Sequence, residues 1–209
     1  MPTFEEHIKN IFPKVNITAL EALKTKYPNL GHKYLNYSFE LPYKLTFATK
    51  YLYLEFLQPK DILDIGTGPG WFPMIAKHFN HKITCCDVSS VCDDLKMFED
   101  VLHIFGLKKD FTFSVEPQKK IPSEIGKYDI ITALGMALHH GWKLKDWYFF
   151  LDDLIDNHCK SNTNCTIYFQ VNRNQAWEIL EADRSYQTRI EIKTWEMFES
   201  HMLRITLIK

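Results

Sequence analysis

The sequence predicts an α/β fold: a seven-stranded, mostly parallel sheet with helices on both faces, an antiparallel C-terminal hairpin and an N-terminal helical cap. Two observations carry this. From Asp61 onward, apolar strand-like runs alternate with amphipathic stretches, and the first such run breaks into closely spaced glycines before a helix opens. A third sets the scale. The chain has 209 residues, 45% of them apolar and 14% aromatic, enough to enclose one core, and no repeat, low-complexity tract or linker divides it. One domain over residues 1–209 is expected, with 1–58 as the cap and 59–209 as the core.

In the cap, Phe4, Ile8 and Phe12 fall on one helical stripe and Leu20, Leu23 and Tyr27 on another, punctuated by Pro13 and Pro28. The segment Leu45 to Phe56 is dense in aromatics and leucines, which predicts a buried helix laid against the sheet. Strands are expected over Ile62 to Ile65, Lys82 to Asp87, Phe111 to Val115, Tyr128 to Leu134 and Cys165 to Val171. Arg189 to Lys193 and Met202 to Ile208 form the final pair. Between them, Pro73 stands where a first-turn proline is tolerated, and Ser90 to Asp93 has the form of a capping box. Val91, Leu95, Phe98, Leu102 and Phe105 recur at helical spacing, and Gly106 marks the end of that helix.

A formal net charge of -1 and a pI near 6.7 exert no global pull toward nucleic acid or an anionic membrane, so a small or neutral partner is the simpler expectation. The five cysteines, Cys85, Cys86, Cys92, Cys159 and Cys165, lack paired zinc spacing and read as reduced structural thiols. The histidines are scattered, and no metal site is expected. The opening residues lack the blocks of a secretory signal and no apolar run reaches membrane-spanning length, which predicts a cytoplasmic protein with no membrane partner. Oligomeric state is not legible.

The most informative stretch is Asp61-Ile-Leu-Asp64-Ile-Gly66-Thr67-Gly68-Pro-Gly70-Trp71. A residue without a Cβ takes positive φ and lets another molecule approach the main chain, and a side chain at Gly66, Gly68 or Gly70 is expected to obstruct that approach. A phosphate-cradling loop needs Lys and Ser or Thr after its last glycine, but Trp71-Phe72-Pro73 follows. A dinucleotide fingerprint needs a third glycine where Trp71 stands. About twenty residues beyond the first glycine, the next strand ends in Asp87, where a carboxylate can accept from both hydroxyls of a ribose.

An acidic residue followed by G-x-G-x-G, with a second acid ending the next strand, resembles the first motifs of the class I S-adenosylmethionine-dependent methyltransferases. That resemblance spans residues 60 to 209 and implies a Rossmann-like fold with S-adenosylmethionine as cofactor. It implies that Gly66, Gly68 and Gly70 line the cofactor, that Asp64 holds its amino group and that Asp87 binds its ribose. Thr67, Val88 and Leu134 complete the implied cofactor positions, with Glu116 near the adenine amino group. Blander readings stand beside these: a satisfied strand-end carboxylate for Asp64, a turn or cap residue for Asp87, a solvated loop residue for Glu116. Against the first, an acid inside Ile62-Leu63-Asp64-Ile65 is expensive to bury without a partner.

On the acceptor side the loop Gly135-Met-Ala-Leu-His139-His140-Gly-Trp142 lacks the acidic-or-Asn, Pro, Pro, aromatic motif of methyltransferases that act on base or amide nitrogens. It is more similar to the small-molecule branch. His139 and His140 are the catalytic candidates, as a general base, although both can equally shape a pocket or cap a helix. Trp142, Trp147, Tyr148, Phe149 and Phe150 read as helix packing, with Trp142 alone a candidate to face a ligand. Tyr34, Tyr37 and Tyr43 are candidates to close over the site, or else core. The expected function is methyl transfer to a small-molecule oxygen, nitrogen or carbon, with a nucleic-acid acceptor disfavoured. Two alternatives remain: a non-catalytic S-adenosylmethionine-binding protein, and a tRNA or rRNA methyltransferase using Lys108, Lys109, Lys119 and Lys120.

Overall fold

The computed structural model describes residues 2–88, 93–135, 142–160, 165–172, 190–197 and 200–207. The chain forms two compact units, one of residues 1–59 and 67–112, the other of residues 60–66 and 113–209.

In the first unit, helices α1 (Phe4–Ile11), α2 (Ile17–Lys26), α3 (Pro28–Tyr34) and α4 (Tyr37–Thr46) precede α5 (Trp71–His78), strand β2 (Lys82–Asp87), α6 (Asp93–Ile104) and the stub β3 (Phe111–Thr112). Local chemistry starts these helices. Thr3 and Glu6 cap each other's backbone amides at the head of α1, and Asn16 Oδ1 accepts from Ala19 N at 3.0 Å at the head of α2. At the tail of α6, Gly106 takes φ +63° while Leu107 N donates to Leu102 O at 2.8 Å.

Three expectations are corrected here. The inward residues of α1 are His7 and Ile11, while Phe4 and Phe12 are each 38% exposed. His7 tolerates the inner face because its Nε2 meets Glu55 Oε2 at 2.6 Å and its ring packs edge-on against Phe79. Second, Leu45 to Phe56 is not one helix. Pro42 removes a ladder donor from α4, the hydroxyls of Thr46 and Thr49 donate back to the carbonyls of Pro42 and Leu45, and the chain widens into a π turn over Phe47–Tyr51. Tyr53 then turns left-handed at φ 53° before the 3-10 turn Leu54–Phe56. Third, β3 covers two residues rather than five, because its parallel register pairs Cys86 with Phe111 and Asp87 with Thr112, where β2 ends. The predicted cap at Ser90 lies outside the described residues, as does Cys92.

The second unit holds β1 (Asp61–Ile65), β4 (Ile130–Ala133), α7 (Leu144–Asp153), β5 (Thr166–Asn172), β6 (Ile190–Met197) and β7 (Ser200–Leu207). Its strands run in the order β1-β4-β5-β7-β6, the first three parallel and the C-terminal hairpin antiparallel. Among the described residues there are six full strands and the stub β3, mostly parallel with the expected hairpin. Every residue of β4 and all but the first of β1 are buried, the continuous pattern of strands covered on both faces. The predicted aromatic cluster is packing: Trp147 and Phe150 of α7 are buried, and Phe150 stacks on Phe169 of β5 at 5.6 Å. Trp142 joins them edge-on, 5.1 Å from Trp147.

The thiol expectation fails at one pair. Cys159 and Cys165 form a disulfide across six residues, while Cys85 and Cys86 are buried thiols outside any disulfide. Cys159 bridges to Tyr128 beside β4 and Cys165 immediately precedes β5, so the parallel pairing of these neighbours brings the sulfurs together. Among the described residues no helix is long and apolar enough to cross a membrane, and no His, Cys, Asp and Glu cluster suits a metal ion.

Candidate functional site

In the first unit the glycine loop is fastened to β2 by three hydrogen bonds. Thr67 N donates to Cys86 O at 3.0 Å, and Thr67 Oγ1 accepts from Cys86 N at 3.1 Å. One residue on, Gly68 N donates to Asp87 Oδ2 at 2.7 Å, while the other carboxylate oxygen, Oδ1, accepts from Val88 N at 2.8 Å. Two main-chain amides thus orient the acid at the end of β2. Val88 is 36% exposed, and its carbonyl accepts from Lys109 Nζ, which also pairs with Glu99 at 2.8 Å.

Gly66, Gly68 and Gly70 all have positive φ, at 72°, 55° and 83°. The glycines do not share one reason for being small. A Cβ on Gly68 meets nothing within 4 Å, so a side chain there would project into open space. A Cβ on Gly70 would lie 2.5 Å from Leu102 Cδ2 of α6. The expectation that all three keep a ligand's path clear is therefore corrected at Gly70, where the constraint is packing of α5 on α6. Trp71, which opens α5, is 1% exposed, donates its indole N–H to Tyr34 O at 2.9 Å and packs against Phe105. The tether anchors α3 to α5. Tyr34 also packs edge-on against Phe98, and Tyr43 stacks on Phe39 and meets Phe47.

In the second unit Asp64 is 3% exposed and has an internal partner that sequence reasoning missed. Thr132, fully buried on β4, donates its hydroxyl to Asp64 Oδ1 at 2.7 Å. The β1–β4 register sets these two residues side by side. The cost of burying Asp64 is accordingly met in part within the protein, and burial alone no longer points to a ligand. No signal in the sequence marked Thr132, because strand register is a tertiary property. Leu134, at the C-terminal end of β4, is 7% exposed. Glu116 is exposed and pairs with Lys119 at 2.8 Å. His139 and His140 lie outside the described residues.

At the opposite end of β1, Lys160 bridges the carboxylates of Asp61 and Asp129, and Asp61 N donates to Asp129 Oδ2 at 2.9 Å. Burial pushes the Asp129 carboxyl up, but the Lys160 hydrogen bond and the Asp61 amide outweigh it and hold the group below the usual carboxylate value. Lys160 is raised in turn, by its hydrogen bonds to Asp129 and Asp61. This triad braces the strand end remote from the glycines.

Neither a protein-family model nor a curated protein sequence matches the chain. Solved structures match its fold. One is the ribosomal protein L11 methylase from Lactobacillus delbrueckii subsp. bulgaricus, with a TM-score of 0.52 and 19% identity over 76% of each chain. A second is the magnesium protoporphyrin IX methyltransferase of Synechocystis PCC 6803 with bound SAM, with a TM-score of 0.52 and 13% identity over 78% of this chain and 79% of that one. A third is TrmN from Thermus thermophilus, with a TM-score of 0.56 and 16% identity over 79% of this chain and 48% of that one. At these identities the likeness is one of fold.

Proposed function

We propose, for a chain with the fold of the class I S-adenosylmethionine-dependent methyltransferases, that it binds S-adenosylmethionine and transfers its methyl group to a small-molecule oxygen, nitrogen or carbon. The observation that carries this is the Gly68–Asp87 hydrogen bond, which joins the glycine loop to an acid ending the next strand. The residues present fit the cofactor. Gly68 offers an open face that a Cβ would fill, and the Asp87 carboxylate is held by main-chain amides with acceptor capacity left for ribose hydroxyls. When bound, the cofactor supplies a sulfonium-activated methyl group.

In this proposal Asp87 accepts from the ribose, Asp64 accepts from the amino group, and Gly66, Thr67 and Gly68 line the cofactor, with Val88 and Leu134 as apolar contacts. Glu116 is the proposed acceptor for the adenine amino group, for which it would have to leave Lys119. Methyl transfer needs in-line positioning above all, and a general base only where the acceptor loses a proton, the role proposed for His139 or His140.

A small acceptor is favoured over RNA by the near-neutral chain and by the state of the candidate basic surface. Lys109 pairs with Glu99, Lys119 with Glu116, and Lys108 lies 3.7 Å from Asp110, so three of its four lysines stand beside carboxylates. The L11 methylase and the protoporphyrin enzyme are named for a protein and a porphyrin, and the fold does not choose between such acceptors. Calorimetry with S-adenosylmethionine tests the cofactor, and absence of binding by folded protein overturns the proposal. Screening metabolite pools for methylated products then tests the acceptor class.

A further inference from the structure

The buried pair Asp64 and Thr132 stands among apolar strand neighbours. Every other residue of β4 is Ile or Ala, and β1 beyond Asp61 is otherwise Ile and Leu. A β-branched Val at 132 would fit the same strand, and replacing a buried polar pair by apolar groups of similar shape is commonly neutral or stabilising. Here a hydroxyl with no exposure faces a carboxylate with almost none.

We propose that Thr132 is a positioning residue that makes Asp64 selective for a cationic ammonium. This rests on the proposed role of Asp64 toward the cofactor's amino group. The hydroxyl has one proton to give. Its distances are 2.7 Å to Asp64 Oδ1 and 3.3 Å to Leu63 O, so the carboxylate takes it. Donation to Oδ1 fixes the plane of the carboxylate, and with it the direction in which it can meet a protonated amine. Thr132 acts through Asp64 and touches no reacting atom.

The test compares two adenosine ligands, of which only one carries that amine. S-adenosylmethionine carries it, whereas 5′-methylthioadenosine keeps the adenosine and sulfur but lacks the amino-acid moiety. Calorimetry on wild type, T132V and T132S is expected to show T132V weakening S-adenosylmethionine about tenfold, equivalent to about 1.4 kcal/mol. Methylthioadenosine affinity should be unchanged, and T132S should restore S-adenosylmethionine binding. Equal loss of both ligands, no loss of either, or failure of T132S to restore affinity overturns the positioning role. If T132V does not fold, T132A takes its place, with its methylthioadenosine affinity as the check on the rest of the site. Wild type that binds neither ligand brings down the cofactor assignment itself, whereas wild type that binds both beside an unaffected T132V brings down the role of Thr132 alone.

Discussion

Gly68 donates its main-chain N–H to the Asp87 carboxylate at 2.7 Å, so the acid proposed to hold a ribose also holds the glycine loop. Asp87→Ala should therefore act twice. Binding of S-adenosylmethionine should weaken by about 1–3 kcal/mol through loss of charge-assisted hydrogen bonds, and the Gly68 amide loses its partner. Calorimetry reads the first effect and urea unfolding the second. Unchanged affinity in a folded variant refutes the ribose role.

The two glycines of the loop should respond differently to a methyl group. Gly68→Ala meets open space and costs only the left-handed backbone, about 1–2 kcal/mol. Gly70→Ala adds the clash with Leu102, for which overpacking costs about 1–3 kcal/mol more. Urea denaturation should rank Gly70→Ala as the less stable variant, and adding Leu102→Ala should recover part of that extra loss. Equal losses at the two positions would contradict the packing role of Gly70.

The Asp61–Lys160–Asp129 brace predicts the shape of the pH–stability curve. Asp129 has its folded pKa lowered, so its contribution is complete above the ordinary carboxylate value and disappears as pH falls through the lowered folded value. Lys160 is raised, so its contribution is complete below the ordinary lysine value and is lost as pH rises through the raised folded value. Lys160→Met should flatten both arms in urea titrations across pH. A profile that keeps the wild-type slope at both ends would show that the bridge contributes no linkage.

Reduction of the Cys159–Cys165 disulfide should lower stability. The bridge closes a short loop of six residues, worth about 2 kcal/mol in the chain-entropy account. Thermal melting with and without dithiothreitol, against the Cys159→Ser, Cys165→Ser double variant, measures it. The reduced protein and the double variant should melt together below the oxidised protein. Coincidence of all three curves would show that the bridge adds nothing.

What the sequence determined by itself is what short-range spacing encodes. The alternation from Asp61 onward marked a mostly parallel α/β chain, the glycine spacing with Trp71 excluded two classes of phosphate loop, and Gly106 marked the end of α6. Asp87 stood out because its distance from the glycines and its place at a strand end are both linear properties. Tertiary structure decided which distant groups meet. Strand register paired Asp64 with Thr132 and cut β3 short at the end of β2; the approach of α6 made Gly70 a packing residue; the neighbouring of β4 and β5 joined two cysteines expected to stay reduced. The physical reason is common to all four. Local backbone preferences and periodicity act over a few residues and are written along the chain, whereas Asp64 and Thr132, or Gly70 and Leu102, lie tens of residues apart, and the two cysteines, only six residues apart, meet because their strands are neighbours. Only the folded register brings those segments together.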